Sequence, residues 1–274
     1  MPRIAICAPA TPITPDDAAR VGEIADEIPG LALDFHPQCF AEAGHFAGPD
    51  DQRLAAFLEC ANDPAFDAVW FARGGYGSNR IAAQALAGLE SAARDKAYLG
   101  YSDMGYLLAA LYKAGIGRPA HGPMPVDIRR FDGVVAVRRA LGFLAGDRGG
   151  IECSLDDRPT VAFNLMTLAA LVGTELMPDL TGHVVLVEEV SEHLYAVDRL
   201  FFHVTQHLKG IAGLRLGRVT DVPENDREFG TDAEAIARDW CARSGIRFLG
   251  HADIGHDVAN KIVPFGVAGR GRAS

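Results

Sequence analysis

Short apolar runs alternate with amphipathic ones through the first half of the chain, the arrangement expected of a largely parallel sheet flanked by helices. RIAICAP at 3–9 reads as a strand. A helix follows, with Thr14 as N-cap and Pro15 in the first turn, where a missing N–H leaves nothing unpaired, and it ends before Gly30. LALDF at 31–35 is the next strand, DDQRLAAFLECA at 50–61 a helix, and DAVWFA at 67–72 a strand. The glycine-rich turn RGGYGS at 73–78 then leads into the helix NRIAAQALAGL at 79–89. The unit repeats at once. KAYLGY at 96–101 is a strand, and DMGYLLAALYKAG at 103–115 a helix with Leu107, Leu108, Leu111 and Tyr112 on one face.

A further helix is predicted near 132–144. The stretch AGDRGGIECSLDDRP that follows is rich in Gly and Asp and breaks the periodicity. The chain therefore divides into an α/β domain over 1–147, a linker over 148–161 and a second domain over 162–274. The second half shows no clean alternation. It holds a helix NLMTLAALVG, a strand HVVLVEEV, a helix EHLYAVDRLFFHVTQHL and a strand near GLRLGRV, and it closes on two strand-like pieces, IRFLG and NKIVPFG. Another helix is predicted from Thr231, whose hydroxyl caps it while Glu234 reaches back. This half reads as a smaller mixed domain.

With 274 residues, 49% of them hydrophobic, a sizeable buried core is available. No run approaches the roughly 20 apolar residues of a membrane span, and MPRIAICAPATPITP lacks the apolar core of a signal peptide, so a cytoplasmic protein with no membrane partner is expected. Cys7, Cys39, Cys60, Cys153 and Cys241 are odd in number and scattered, which argues against a disulfide framework and against a thiolate metal site. A formal charge of −10 repels a phosphate backbone, and no nucleic-acid partner is expected. The same charge suits a small cationic or zwitterionic substrate.

Ligands of a parallel sheet gather at the carboxyl ends of its strands. Two strand-to-helix turns lie there. The first supplies Gly74, Gly75 and Gly77, which let backbone approach a ligand and aim N–H groups at an anionic oxygen. It lacks both the G-x-G-x-x-G pattern and the P-loop lysine. The second places Ser102 between strand and helix, with Gly100 before it and the N–H of Asp103 after it. Two readings stay open: a nucleophile beside an oxyanion hole, in a G-x-S-x-G pattern with Met104 in place of the last glycine, or an ordinary helix cap with Asp103 at the positive end.

A serine nucleophile needs a base and a group that orients it. His203 and His207 lie four apart on a helix; His251, Asp253 and His256 crowd GHADIGHD; Glu188 and Glu189 end an apolar strand. Either histidine group could hold a metal, though helix surface and loop are the plainer homes. Strand alternation sends the two glutamates to opposite faces, and both could equally be solvated.

Five stretches together resemble the LD-carboxypeptidases, serine peptidases of the muramoyltetrapeptide carboxypeptidase and microcin-immunity type: ARGGYGS at 72–78, GYSD at 100–103, HGPM at 121–124, LVEEVSEHLYAVDR at 186–199 and GHDVANKIVPFG at 255–266. The resemblance implies a flavodoxin-like N-terminal domain with a parallel sheet and a smaller β-rich C-terminal domain. It implies Ser102 as nucleophile, His256 as general base, Glu188 orienting the imidazole, and N–H groups of Gly75 and Asp103 as the oxyanion hole. No metal or cofactor is implied. Its substrate would be a murein tetrapeptide, with Arg73 and Gly74 as candidates for binding it, and its assembly a homodimer. Gly105 stands where the family usually has Thr, and AFNL at 162–165, with Phe163, replaces a usual GGNL. These departures, with the short loop VPENDREFG, leave open an immunity-type hydrolase of peptidyl or aminoacyl nucleotides, or a binding protein without turnover.

Overall fold

Strands β1 (Arg3–Cys7), β2 (Ala32–Phe35), β3 (Ala68–Phe71), β4 (Ala97–Gly100) and β5 (Arg118–His121) run parallel. Helices α1 (Pro15–Asp26), α2 (Asp50–Asn62), α3 (Ser78–Gly88), α4 (Gly105–Ala114) and α5 (Gly133–Leu144) connect and cover them. This is a computed structural model, and it describes residues 2–267. Strands β1, β3 and β4 are buried on both faces and read as near-continuous apolar runs, while the edge strand β2 is only half-buried. Ile4, Ile6, Trp70 and Leu99 pack on Val21 and Ile24 of α1 and Val137 and Leu141 of α5. Ala5, Cys7, Val69, Phe71 and Tyr98 face the other way, onto Phe57 of α2, Ala82 of α3 and Leu108 of α4. Thr14 caps α1 in a full capping box with Asp17.

The second half alternates strand and helix more regularly than its sequence suggests. Strands β6 (Thr160–Asn164), β7 (Val184–Val190), β8 (Gly213–Thr220) and β9 (Phe248–His251) form a second parallel sheet in chain order. Between them lie α6 (Leu165–Leu171), α7 (Leu194–His207) and α8 (Ala233–Arg243). The pattern is hidden because β6 is five residues long and runs straight into α6, for which Asn164 is the N-cap. The cap of α8 is Asp232 rather than Thr231: its carboxylate accepts the Ala235 N–H at 2.8 Å, while Glu234 turns outward to Arg238.

Two features join the halves. Strand β6 begins inside the stretch 148–161 expected as linker, and β10 (Val263–Pro264), late in the second half, pairs antiparallel with β5 of the first sheet. The larger sheet therefore has the order β10-β5-β4-β3-β1-β2. Ala109 of α4 is packed into the core of the second half with Phe163, Leu165 and Leu168. Among the described residues no helix is long and apolar enough to cross a membrane.

Candidate functional site

Strand β4 ends against the glycine-rich turn, and the chain reverses there. A Cβ on Gly100 would meet Phe71 at 2.8 Å and Met104 at 3.1 Å, so only glycine permits so sharp an exit. Ser102 then takes φ +59°, the left-handed region that a residue with a Cβ occupies at a cost of about 1–3 kcal/mol. It opens a short 3-10 turn, Ser102–Met104, before α4. The N-cap of that turn is Tyr101 and the N-cap of α4 is Met104, neither with a side-chain cap bond. The cap reading of Ser102 is thereby overturned: its hydroxyl caps neither helix.

Asp103 ties the two turns together. Its buried carboxylate accepts the N–H groups of Ser78 at 2.8 Å and Gly77 at 3.3 Å, so it caps α3 rather than its own helix, and Ser78 Oγ donates to the Asp103 carbonyl at 2.6 Å. Burial raises the Asp103 pKa, and these N–H groups oppose the rise. The backbone of the glycine-rich turn lies against Ser102: a Cβ on Gly74 would sit 3.0 Å from Ser102 Cβ and 3.2 Å from its Oγ. Thr11 Oγ1 fixes the Gly74 carbonyl at 2.6 Å, and Gly75, at φ +101°, leaves no room for a Cβ beside Thr11.

The second half brings an imidazole to this elbow. His256 Nδ1 donates to Glu188 Oε2 at 2.5 Å, and Glu188 is fully buried. The bond fixes the tautomer, leaving Nε2 as the nitrogen free for proton transfer. A β-bulge makes the space: Val187 pairs with Leu216 and Glu189 with Val219, so Gly217 and Arg218 together face Glu188. A Cβ on Gly217 would lie 3.0 Å from Glu188 Cβ. Burial alone lowers the His256 pKa, but Glu188, with Asp127 and Glu189 beyond it, outweighs that and raises it. The His256 ring packs against Tyr101, the residue before Ser102, with centroids 4.8 Å apart. Tyr101 is held in turn by its hydroxyl bond to Asp127 at 2.8 Å, and Asp127 pairs with Arg130. Tyr101 also packs edge-on against buried His121, whose pKa burial lowers to about 3.

Glu188 and Glu189 point different ways, as alternation requires, yet both are buried, which removes the solvated reading. Glu189 accepts Asn164 Nδ2 and the N–H groups of Met166 and Val190 at 2.8–2.9 Å. Asn164 caps α6 through Thr167 N–H, and Thr167 Oγ1 reaches the Ser102 carbonyl at 3.4 Å. Arg73 is half-buried at the lip, bonded to the Pro12 carbonyl at 3.1 Å. Burial and nearby Arg129 lower its pKa. The remaining histidines do not converge here. His203 and His207 are exposed on α7, His251 pairs with Glu234, and Asp253 binds Arg218. Among the described residues no three His, Cys, Asp or Glu side chains gather as a metal site. Asp127, Thr167 and Arg218 lie outside the motifs, and nothing in the sequence marks them; Tyr101 lies in GYSD and Glu189 in LVEEV, where the sequence offers Glu189 only as the alternative to Glu188.

Comparison with known proteins covers nearly the whole chain. The model of the LD-carboxypeptidase N-terminal domain matches residues 4–122, and that of the LD-carboxypeptidase C-terminal domain matches residues 159–270. The murein tetrapeptide carboxypeptidase of Pseudomonas aeruginosa is 27% identical over 96% of this chain and 91% of its own length. The probable murein peptide carboxypeptidase of Bacillus subtilis is 26% identical over 96% and 86%. Among solved structures, muramoyltetrapeptide carboxypeptidase from Oxalobacter formigenes superposes with a TM-score of 0.80 at 25% identity, covering 96% of this chain and 93% of that one. The microcin C7 self immunity protein MccF shares the fold, with a TM-score of 0.78 at 17% identity over 97% and 91%.

Proposed function

Because the chain belongs to the LD-carboxypeptidase family and is a serine-type peptide hydrolase of that family, we propose that it cleaves the amide bond between an L-centre and the C-terminal D-amino acid of a murein tetrapeptide, through an acyl-enzyme on Ser102. His256 Nε2 takes the Ser102 proton, and the oxygen attacks the scissile carbonyl. Glu188 holds the ring and balances the imidazolium that forms. The N–H groups of Gly75 and Asp103 receive the oxyanion, and His256 returns the proton to the departing amine. Water, activated by the same imidazole, then releases the acyl group.

The observation that carries this reading is the junction at Tyr101, where the His256–Glu188 pair of one sheet meets the Ser102 elbow of the other. The strained φ of Ser102 supports it, because no capping bond repays that strain. Arg73 and Gly74 take the substrate's terminal carboxylate; among the described residues the guanidinium keeps donors beyond its bond to Pro12. We extend the reading to a cytoplasmic homodimer in murein recycling, on the strength of family membership.

The test is release of D-alanine from the murein tetrapeptide by wild type and Ser102→Ala, each with and without a chelator. Release that needs Ser102 and survives chelation is the expected result. A folded wild type that leaves the tetrapeptide intact but cleaves an aspartyl-nucleotide conjugate overturns the substrate assignment in favour of the immunity-type reading.

A further inference from the structure

The loop that carries His256, between β9 and β10, is held by bonds of its own and, more firmly at the imidazole, from outside. Arg218, the second residue of the bulge opposite Glu188, spans it. Its Nη1 binds Asp253, and its Nε and Nη2 bind Asp257, the latter contact at 2.9 Å. The two aspartates flank His256 in sequence, three residues before it and one after. The Arg218 N–H also donates to the Ile254 carbonyl at 2.9 Å. Gly255 lies directly on the guanidinium stem: a Cβ there would meet Arg218 Cβ and Nε at 3.0 Å. Other holds act further along. Arg139 of α5 donates to the Val258 and Asn260 carbonyls at 2.8 and 2.9 Å, and Asn260 Oδ1 accepts the Gly255 N–H at 3.2 Å.

We propose that Arg218 is a positioning residue for the His256 base, fixing the loop on both sides of the imidazole and neutralising the two aspartates beside it. This rests on the reading of His256 as the base of a serine hydrolase. The bulge links the two tasks: the inserted residue that makes room for Glu188 also delivers the guanidinium to the loop, so acid and base are set by one irregularity in β8. The charged and titratable groups around the imidazole are Glu188 and Glu189 from β7, Tyr101 and His121 from the first sheet, Asp127 with Arg130 from the turn after β5, and Arg139 from α5. Asp253 and Asp257 come from its own loop, and Arg218 is the cation paired with both. Without it, both carboxylates lose the cation bonded to them, with Arg139 and Arg130 left to act on them from farther off, and the balance around the imidazole shifts toward its protonated form.

The experiment compares wild type, Arg218→Lys and Arg218→Met by kcat, KM and the pH profile of kcat/KM on the murein tetrapeptide, with Ser102→Ala as control. Active enzyme is counted by a serine-directed phosphonate, so that a smaller folded fraction does not count as lost turnover. In Arg218→Met, kcat per active site should fall about ten- to a hundredfold with KM little changed, as expected for a misplaced catalytic group. Its acid limb should move up by about half to one pH unit. Arg218→Lys keeps the charge but cannot span both aspartates, so it should lose kcat with its acid limb held near the wild-type position. A wild-type kcat and acid limb in Arg218→Met overturn the proposal. Full activity in Ser102→Ala would instead sink the serine-hydrolase reading beneath it, so the two failures are told apart.

Discussion

Gly105 and Phe163 meet across the boundary between the two sheets. A Cβ on Gly105 would lie 3.3 Å from Phe163 Cδ1 and 2.8 Å from Thr167 Cγ2. The two departures from the family pattern are therefore in contact: the Thr167 methyl first, and then the ring at 163, occupy the space that a side chain at 105 would need. A helix otherwise favours Ala over Gly by about 1 kcal/mol, but overpacking costs about 1–3 kcal/mol. Gly105→Ala should lower stability in the wild-type background. Thr167→Ser removes the methyl it strikes and keeps the hydroxyl on the Ser102 carbonyl, so in that background the same change should become neutral or stabilising. Denaturant unfolding of the four proteins measures the sign, and an equal penalty in both backgrounds would rule out this contact as the cause.

Asp103 joins the proposed oxyanion turns by capping α3 from a distance of 25 residues. Asp103→Ala leaves the buried N–H groups of Gly77 and Ser78 without their acceptor, a loss of about 1–3 kcal/mol. Because those N–H groups belong to the turn that lies on Ser102, kcat should fall further than the loss of folded protein explains. Asp103→Asn retains one acceptor oxygen and should fall between wild type and Ala in both unfolding midpoint and kcat. An Ala variant with reduced stability but wild-type kcat per folded molecule would confine Asp103 to capping.

Asp17 supplies a handle on stability outside the proposed triad. Burial works to raise its pKa, but Arg129, bonded through two nitrogens, together with Thr14, lowers it to about 2. A carboxylate whose pKa is depressed in the folded state contributes stability above its unfolded pKa of about 3.9 and loses it as pH falls through the folded value. Asp17→Asn should thus destabilise at neutral pH, with the difference from wild type closing between about pH 4 and about pH 2. Urea midpoints across that range are the measurement, and a pH-independent difference would assign the effect to the lost cap alone.

The first sheet is legible because its central strands β1, β3 and β4 are buried on both faces and its helices carry signals such as Thr14 and Pro15. Strand β5 is not, since Arg118, Pro119 and His121 form no apolar run; its pairing comes from β4 and β10 on either side. Strand β6 merged with α6 for want of a turn between them. At the site, the Ser102 elbow was visible as a strand-to-helix join, and alternation correctly separated Glu188 from Glu189. Their burial was not visible, because the bulge that makes room for Glu188 lies in β8, beyond the whole of α7. Thr167 touches the Ser102 carbonyl across 65 residues, and no local pattern marks such a contact. The α8 cap was misplaced by one residue because Thr231 and Asp232 are both good caps, and only the bond to Ala235 chooses between them.

The His256–Glu188 pair makes a prediction in which stability and activity run in opposite directions. The folded-state pKa of His256 is raised, so the pair's contribution to stability is fully present below the unfolded pKa of about 6.5 and is lost as pH rises through the folded value. Proton abstraction needs the neutral ring, so kcat/KM should rise across that same interval, with its acid limb above about 6.5. Glu188→Gln removes the main cause of the raised pKa. Burial then dominates, and the acid limb should move to lower pH even as kcat drops by about a hundredfold or more, because the amide no longer balances the imidazolium. A pH–rate profile of wild type and Glu188→Gln from about pH 5 to about pH 9 separates these effects. An acid limb that stays in place in the variant would mean that His256 is not the group whose ionisation limits the reaction.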